Sequence, residues 1–242
     1  MLLKTLKAER MKLRHSPVWL AFIILPIISA VMGTFNYVQN TDILKDKWYD
    51  LWSQHTLFSC YFFIPALIGV YCSYLFRLEH MNHNWNSVMT MPVKISDFYF
   101  SKLLSSSFMV VVTQIWIGIL FIVSGKLCGI NEPIPGQLPL WLLLGTAGGI
   151  VICAVQLTLS LVIRSFAVPV GIALMGGIMG LVAAAKGYGL YFPYSLLTIG
   201  MSANGSSGSA LNILQFLVSS LFYIALCSVL CIIRLKKHDV QA

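Results

Sequence analysis

The residue types able to do chemistry are few and poorly grouped. Glu79, His80 and His83 stand together, with the two histidines at i, i+3 on any helix there. They do not match the HExxH pattern, and a zinc site needs a third or fourth ligand with a supporting outer shell, so solvated or interface histidines are expected and no metal. Cys227 and Cys231 share a helix face at i, i+4, but the six cysteines form no CxxC pair, and only Cys128 falls clearly in a loop. Neither a disulfide framework nor a zinc site follows. No GxxxxGK[ST] loop is present to wrap phosphates, so this chain does not hydrolyse ATP alone. Its apolar stretches offer scattered Ser, Thr and Cys together with Gln114 and Gln156, and no nucleophile and base, paired carboxylates or titratable relay. Neither catalysis nor ion-coupled transport by this chain is expected.

The elements that would position such groups are membrane spans. Only 10% of residues are charged and 58% are hydrophobic, against about 25% charged in a soluble domain. A hydrocarbon core of about 30 Å takes roughly 20 apolar residues to cross as a helix. Six stretches meet that length: Val18 to Tyr37, Leu57 to Phe76, Leu103 to Ser124, Leu138 to Ile163, Ala167 to Ala185 and Leu211 to Ile233. The expected fold is an all-α membrane protein, a single domain over residues 1–242. The first stretch exceeds the usual signal-peptide h-region and ends without a small-x-small pattern, so it reads as a retained span.

Basic residues set the expected orientation. The formal net charge is +8. Lys4, Lys7, Arg10, Lys12, Arg14, Arg77, Lys94, Lys102, Arg164, Arg234, Lys236 and Lys237 fall on one side if the spans alternate, and Lys45, Lys47, Lys126 and Lys186 on the other. By the positive-inside rule both termini are cytoplasmic, and the basic excess is a topology signal rather than a nucleic-acid footprint.

Four segments outside the spans carry further information. Residues 1–15 put Leu2, Leu3, Leu6 and Leu13 close to one helical face among basic residues, which predicts a helix lying along the inner leaflet, drawn to anionic headgroups and broken at Ser16-Pro17. Residues 77–102 form the longest internal cytoplasmic connection, in which Trp85, Val88 and Met89 make an apolar stripe beside Asn84 and Asn86 and before Pro92. A short docking helix with an apolar face is expected there. In the first outer loop Leu44, Trp48, Leu51 and Trp52 share a face, with Asp46 and Asp50 elsewhere, which predicts an amphipathic interfacial helix. Its aromatics and acids either meet an amphipathic cationic cargo or simply anchor the bilayer boundary. Residues 187–209 are too apolar for a free loop and too broken for a span, and should dip into or lie on the outer membrane surface. Gly176 and Gly180, with Gly145 and Gly149, mark close helix approaches, either within one subunit or between subunits.

The acidic Glu79 after span two, the Asn84-Trp85 core, the Pro92-Val step and lysines Lys94 and Lys102 opening span three resemble the ABC-2-type permeases. That resemblance implies that the Asn84 to Pro92 segment is a coupling helix, with Glu79, Asn84, Trp85, Val88, Met89, Pro92, Lys94 and Lys102 meeting a separate ABC ATPase in two copies. ATP and Mg would then sit on that partner, and a second permease, identical or diverged, would complete the assembly. The Tyr191-Phe-Pro193-Tyr194 step is similar to one in permeases that protect bacteria from lantibiotics. It implies export of a membrane-active peptide from a bacterial plasma membrane, with Trp48, Trp52, Asp46, Asp50, Tyr191, Pro193 and Tyr194 as outer-interface residues. Export of a lipid, drug or glycan, or a non-transporting scaffold or sensor, stand as alternatives.

Overall fold

The computed structural model describes residues 2–14, 16–81, 85, 93–203 and 211–237, and no strand occurs among them. An N-terminal helix α1 (Leu2–Leu13) precedes α2 (Val18–Gln39). Helix α3 (Lys47–Phe58) passes through a π turn (Ser59–Phe63) directly into α4 (Ile64–His80). Then follow α5 (Ile95–Leu127), α6 (Leu138–Val162), α7 (Ala167–Ala185), a short α8 (Ser195–Gly200) and α9 (Ile213–Lys237). Six of these helices are long and apolar enough to cross a membrane.

The largest departure from the expected spans is in the second. The outer-loop helix and span two form one continuous helix from Lys47 to His80. Pro65 explains the π turn inside it, because it has no N–H to give the Tyr61 carbonyl four residues earlier, and the helix widens just upstream. The third span is also longer than expected and starts at Ile95, since its polar first turns are held against α1.

Helices α4, α5 and α6 are central, while α2, α7 and α9 keep broad apolar faces outward, for example Ile24, Val31 and Phe35 on α2 and Met175, Met179 and Val182 on α7. Helix faces that are apolar on all sides suit contact with lipid. The outer-loop face behaves differently from expectation. Trp48 and Trp52 are 2% and 1% exposed, packed edge-on against Phe121, and Trp52 stacks on Trp141. Leu51 lies buried between them. These tryptophans therefore serve as core, because α3 leans on α5 and α6 instead of lying flat on the surface. On the same face of the bundle the exposed Lys47 pairs with Glu132 at 2.5 Å.

The segment after α7 folds back into the bundle. A 3₁₀ turn (Gly189–Tyr191) leads to α8, whose Ser195, Leu196, Leu197, Thr198 and Gly200 are all buried against α6 and α7. Non-helical backbone is tolerated in an apolar setting only where the protein satisfies it. Here Trp52 Nε1 donates to the Met201 carbonyl at 2.7 Å, Ser195 Oγ to the Phe192 carbonyl at 2.7 Å, and Tyr223 Oη to the Tyr191 carbonyl at 2.6 Å. Gln156 Nε2 donates to Tyr194 Oη at 2.7 Å.

Glycines make room for this segment. A Cβ at Gly148 would lie 2.5 Å from Leu197 N, and one at Gly176 2.8 Å from the Tyr194 ring. Gly180 faces Ser195 N at 3.1 Å, Gly145 abuts the Met201 side chain, and Gly149 faces Val110 Cγ1 at 2.6 Å. All four glycines singled out in the sequence thus meet partners within this chain.

Replacing Gly148 by Ala should lower stability by about 1–3 kcal/mol, because the neighbour is backbone and cannot step aside. Gly171→Ala, where nothing lies within 4 Å, should be neutral or raise stability by up to about 1 kcal/mol through helix propensity. Thermal unfolding in mild detergent compares the two.

Candidate functional site

At the end of the bundle where α4 finishes and α5 begins, four charged side chains meet, three of them buried and the fourth, Lys12, partly exposed. Lys102, two turns into α5, has no exposed side-chain surface. Its ammonium lies 3.3 Å from both Glu9 carboxylate oxygens and 3.0 Å from Glu79 Oε1, and donates to the Leu75 carbonyl at 2.9 Å. Lys12 completes the group, 3.1 Å from Glu9 and 2.5 Å from the same Glu79 oxygen. Two ammoniums and two carboxylates cancel in formal charge. That balance is what allows such groups to stay buried, since a lone charge there costs several kcal/mol.

Aromatic rings close the cluster. Lys102 Nζ lies 5.1 Å from the Phe76 ring centroid and 4.8 Å from that of Phe98, within cation–π range. Trp85, 1% exposed, stacks on Phe76 at 6.2 Å and meets Phe98 edge-on at 6.0 Å. Its indole N–H donates to His80 Nδ1 at 3.0 Å, which fixes that nitrogen as the acceptor. The other ring nitrogen, Nε2, is then the protonated one, and it donates to the Ser160 carbonyl at the end of α6 at 3.0 Å. One connected set of contacts thereby ties α1, α4, α5, α6 and the segment carrying Trp85.

Burial works against the Lys12 charge, but the Glu9 and Glu79 carboxylates more than offset it and hold its pKa above the ordinary 10.5. A raised lysine pKa means that this contribution to stability is fully present below pH 10.5. It is lost only as the pH rises through the raised value.

Of the residues expected at a coupling segment, Glu79, Trp85 and Lys102 come together here. Lys94 stands apart, exposed at the start of α5, and Asn84, Val88, Met89, Pro92 and His83 lie outside the described residues. At the other end of the bundle the expected outer-interface residues divide. Asp46 and Tyr191 are exposed, Asp50 and Pro193 are half-buried, and Trp48, Trp52 and Tyr194 are buried. Asp50 is occupied locally, accepting from the Asp46 N–H at 2.7 Å.

Two buried ionisable residues went unremarked in the sequence. Glu9 follows Leu2 and Leu6 and precedes Leu13 at i, i+4, i+7, i+11, so it completes the inward stripe of α1, and that spacing was the available signal. Leu3, by contrast, is 81% exposed and belongs to the opposite face. His55 is the second. The packing of α3 on α2 and α5 buries it beside a cavity of about 10 Å³, room for one water, between Pro26, Ser29 and Ser59. Thr34 Oγ1 spends its hydrogen on the Ala30 carbonyl, so His55 Nε2 is the donor in their 3.0 Å contact.

The family model described as ABC-2 family transporter protein matches residues 5–180, a stretch that holds most of α1, all of α2 through α6, the ion cluster and most of α7. The chain belongs to that family, and is the transmembrane permease subunit of an ABC transporter, not its ATPase. No curated protein and no solved structure gives a match.

Breaking the cluster should be costly. Lys102→Met leaves two carboxylates with one ammonium and should destabilise the chain by about 3–5 kcal/mol. Lys47→Met, which breaks the exposed and solvent-screened pair with Glu132, should leave stability nearly unchanged. Unfolding midpoints in one detergent check both.

Proposed function

We propose that this permease subunit couples an ABC ATPase to the export of membrane-active, lantibiotic-type antimicrobial peptides, for immunity or resistance. The observation that carries the coupling is the burial of Lys102 among Glu9, Glu79 and the Phe76, Phe98 and Trp85 rings. Trp85 is the one described residue of the 82–92 segment, and it is anchored to the cluster directly. A push on that segment by closing ATPases is therefore received by α4 and α5 together. Packed charges and rings transmit displacement because their arrangement is discrete rather than continuously deformable.

In this reading the cluster end faces the cytoplasm of a bacterial cell with both termini. Two ATPase copies, with ATP and Mg bound to them, act on two permeases, the second being identical or diverged. The peptide cargo rests on the resemblance of the Tyr191 to Tyr194 step and on the largely apolar span surfaces, which suit an amphipathic molecule that never leaves the membrane environment. The burial of Trp48, Trp52 and Tyr194 takes them out of direct cargo contact and leaves Tyr191 and Asp46 as the exposed members of that set, with Asp50 and Pro193 partly accessible.

Affinity purification of the tagged chain from its host in mild detergent should recover an ABC ATPase. Measured per molecule that reaches the membrane, Trp85→Ala and Glu79→Gln should lose at least about tenfold of transport-stimulated ATP hydrolysis, an interaction loss of order 1.4 kcal/mol or more. Deleting the chain should sensitise cells to a lantibiotic and not to small hydrophobic drugs. The reverse pattern would reassign the cargo to a drug or lipid, and recovery without an ATPase would favour a scaffold.

A further inference from the structure

Helix α1 has two chemically distinct sides. The inward side carries Leu2, Leu6, Glu9 and Leu13, with Thr5 Oγ1 reaching the Asp97 carbonyl at 3.5 Å. The outward side carries Leu3, Lys4, Lys7, Arg10 and Met11, with Arg14 just past the helix end, all exposed, Leu3 at 81% and Met11 at 61%. The helix contains one acid, Glu9, and it is turned in, so every outward charge on this element is positive.

The height of α1 relative to the membrane is set by its connection. Four residues, Arg14 to Pro17, separate it from the first apolar span. Trp19 in the first turn of that span donates its indole N–H to the Leu13 carbonyl at 2.8 Å. An indole at the first turn of a span occupies the headgroup level, so the carbonyl bonded to it does too. The outward face of α1 thus mixes cations and apolar side chains at the depth where phosphates give way to acyl chains.

We infer that the outward face of α1 is a binding surface for anionic phospholipids, and that their occupancy seats Glu9 against Lys102. The choice of partner follows from charge complementarity and from position: four cations and two apolar side chains at the bilayer edge fit phosphate headgroups with adjacent acyl chains. The link to the interior is mechanical. Glu9 and the outward cations ride on the same three-turn helix, so headgroups that fix Lys7 and Arg10 also fix the carboxylate that compensates Lys102. Of the other acids at this end among the described residues, Glu79 is itself in the cluster and Asp97 lies in the first turn of α5. This goes beyond the ATPase reading and does not depend on it.

The test uses the purified full chain in nanodiscs of phosphatidylcholine alone and of an equimolar mixture with phosphatidylglycerol. Native mass spectrometry counts retained lipids, and thermal unfolding reports stability. The wild-type chain should retain phosphatidylglycerol over phosphatidylcholine, lose that preference as salt is raised, and unfold at higher temperature in the mixed discs. Changing Lys4, Lys7, Arg10 and Arg14 together to Gln should reduce the preference by about tenfold or more while leaving the unfolding midpoint in phosphatidylcholine unchanged. Glu9→Gln should keep the preference but lose the stabilisation by phosphatidylglycerol. Wild-type preference in the fourfold variant overturns the lipid surface, and if that variant also fails to capture the ATPase the face belongs to a protein partner. A salt-insensitive preference in the wild-type chain overturns it independently of any variant. Stabilisation that survives in Glu9→Gln overturns the connection to Lys102.

Discussion

An ammonium held away from water at the edge of an apolar bundle has to be neutralised by groups brought to it, and this requirement organises one end of the molecule. Lys102 lies on the inner side of α5, where nothing local can compensate it. Glu79 arrives from the end of α4 and Glu9 from a helix more than ninety residues earlier in the chain. The N-terminal helix is consequently a structural member of the bundle through its inward side, whatever its outward side meets. Lys12 then becomes necessary in turn, since two carboxylates facing one ammonium would leave an uncompensated negative charge.

The other end is organised by the opposite problem, backbone groups that need partners where no water is available. Around α8 the chain leaves regular helix, and its carbonyls are met by Trp52, Ser195 and Tyr223. Small residues on α6 and α7 let this segment come close enough for those bonds to form. The tryptophans that seemed destined for the membrane surface are drawn inward by the same need. Trp52 contributes its indole N–H to the Met201 carbonyl and its ring to the stack with Trp141.

The six spans were legible in the sequence because their length and apolarity follow from bilayer thickness, although the third helix starts eight residues before the expected Leu103, at Ile95, where its polar first turns pack on α1. Where no loop intervenes the sequence misleads: the polar residues Lys47, Asp50, Ser53 and Gln54 read as a surface segment although α3 runs unbroken into α4. At the ion cluster, Glu79, Trp85 and Lys102 stood out through a family resemblance, whereas Glu9 did not. Its role depends on a contact across the chain, and sequence spacing shows only that it lies on the leucine face. His55 was hidden for a related reason, because its burial follows from the packing of α3 on α2 and α5, which no local pattern encodes.

The unbroken helix from Lys47 to His80 has a mechanical consequence. At about 1.5 Å per residue it is a rod of roughly 50 Å, with its one irregularity, the π turn at Ser59–Phe63, off centre. Taking that turn as a fulcrum, the arm to Glu79 is about 27 Å and the arm to Trp48 about 20 Å. A sideways displacement imposed at the charged end would therefore reappear at the opposite face reversed in direction and reduced to about three-quarters of its size. The same tilt would drag the Trp52 indole, and with it the carbonyl of Met201, so torque on one helix would reach the folded-back segment through that bond and the neighbouring Thr56 and Cys60 contacts to Ala203 and Met201.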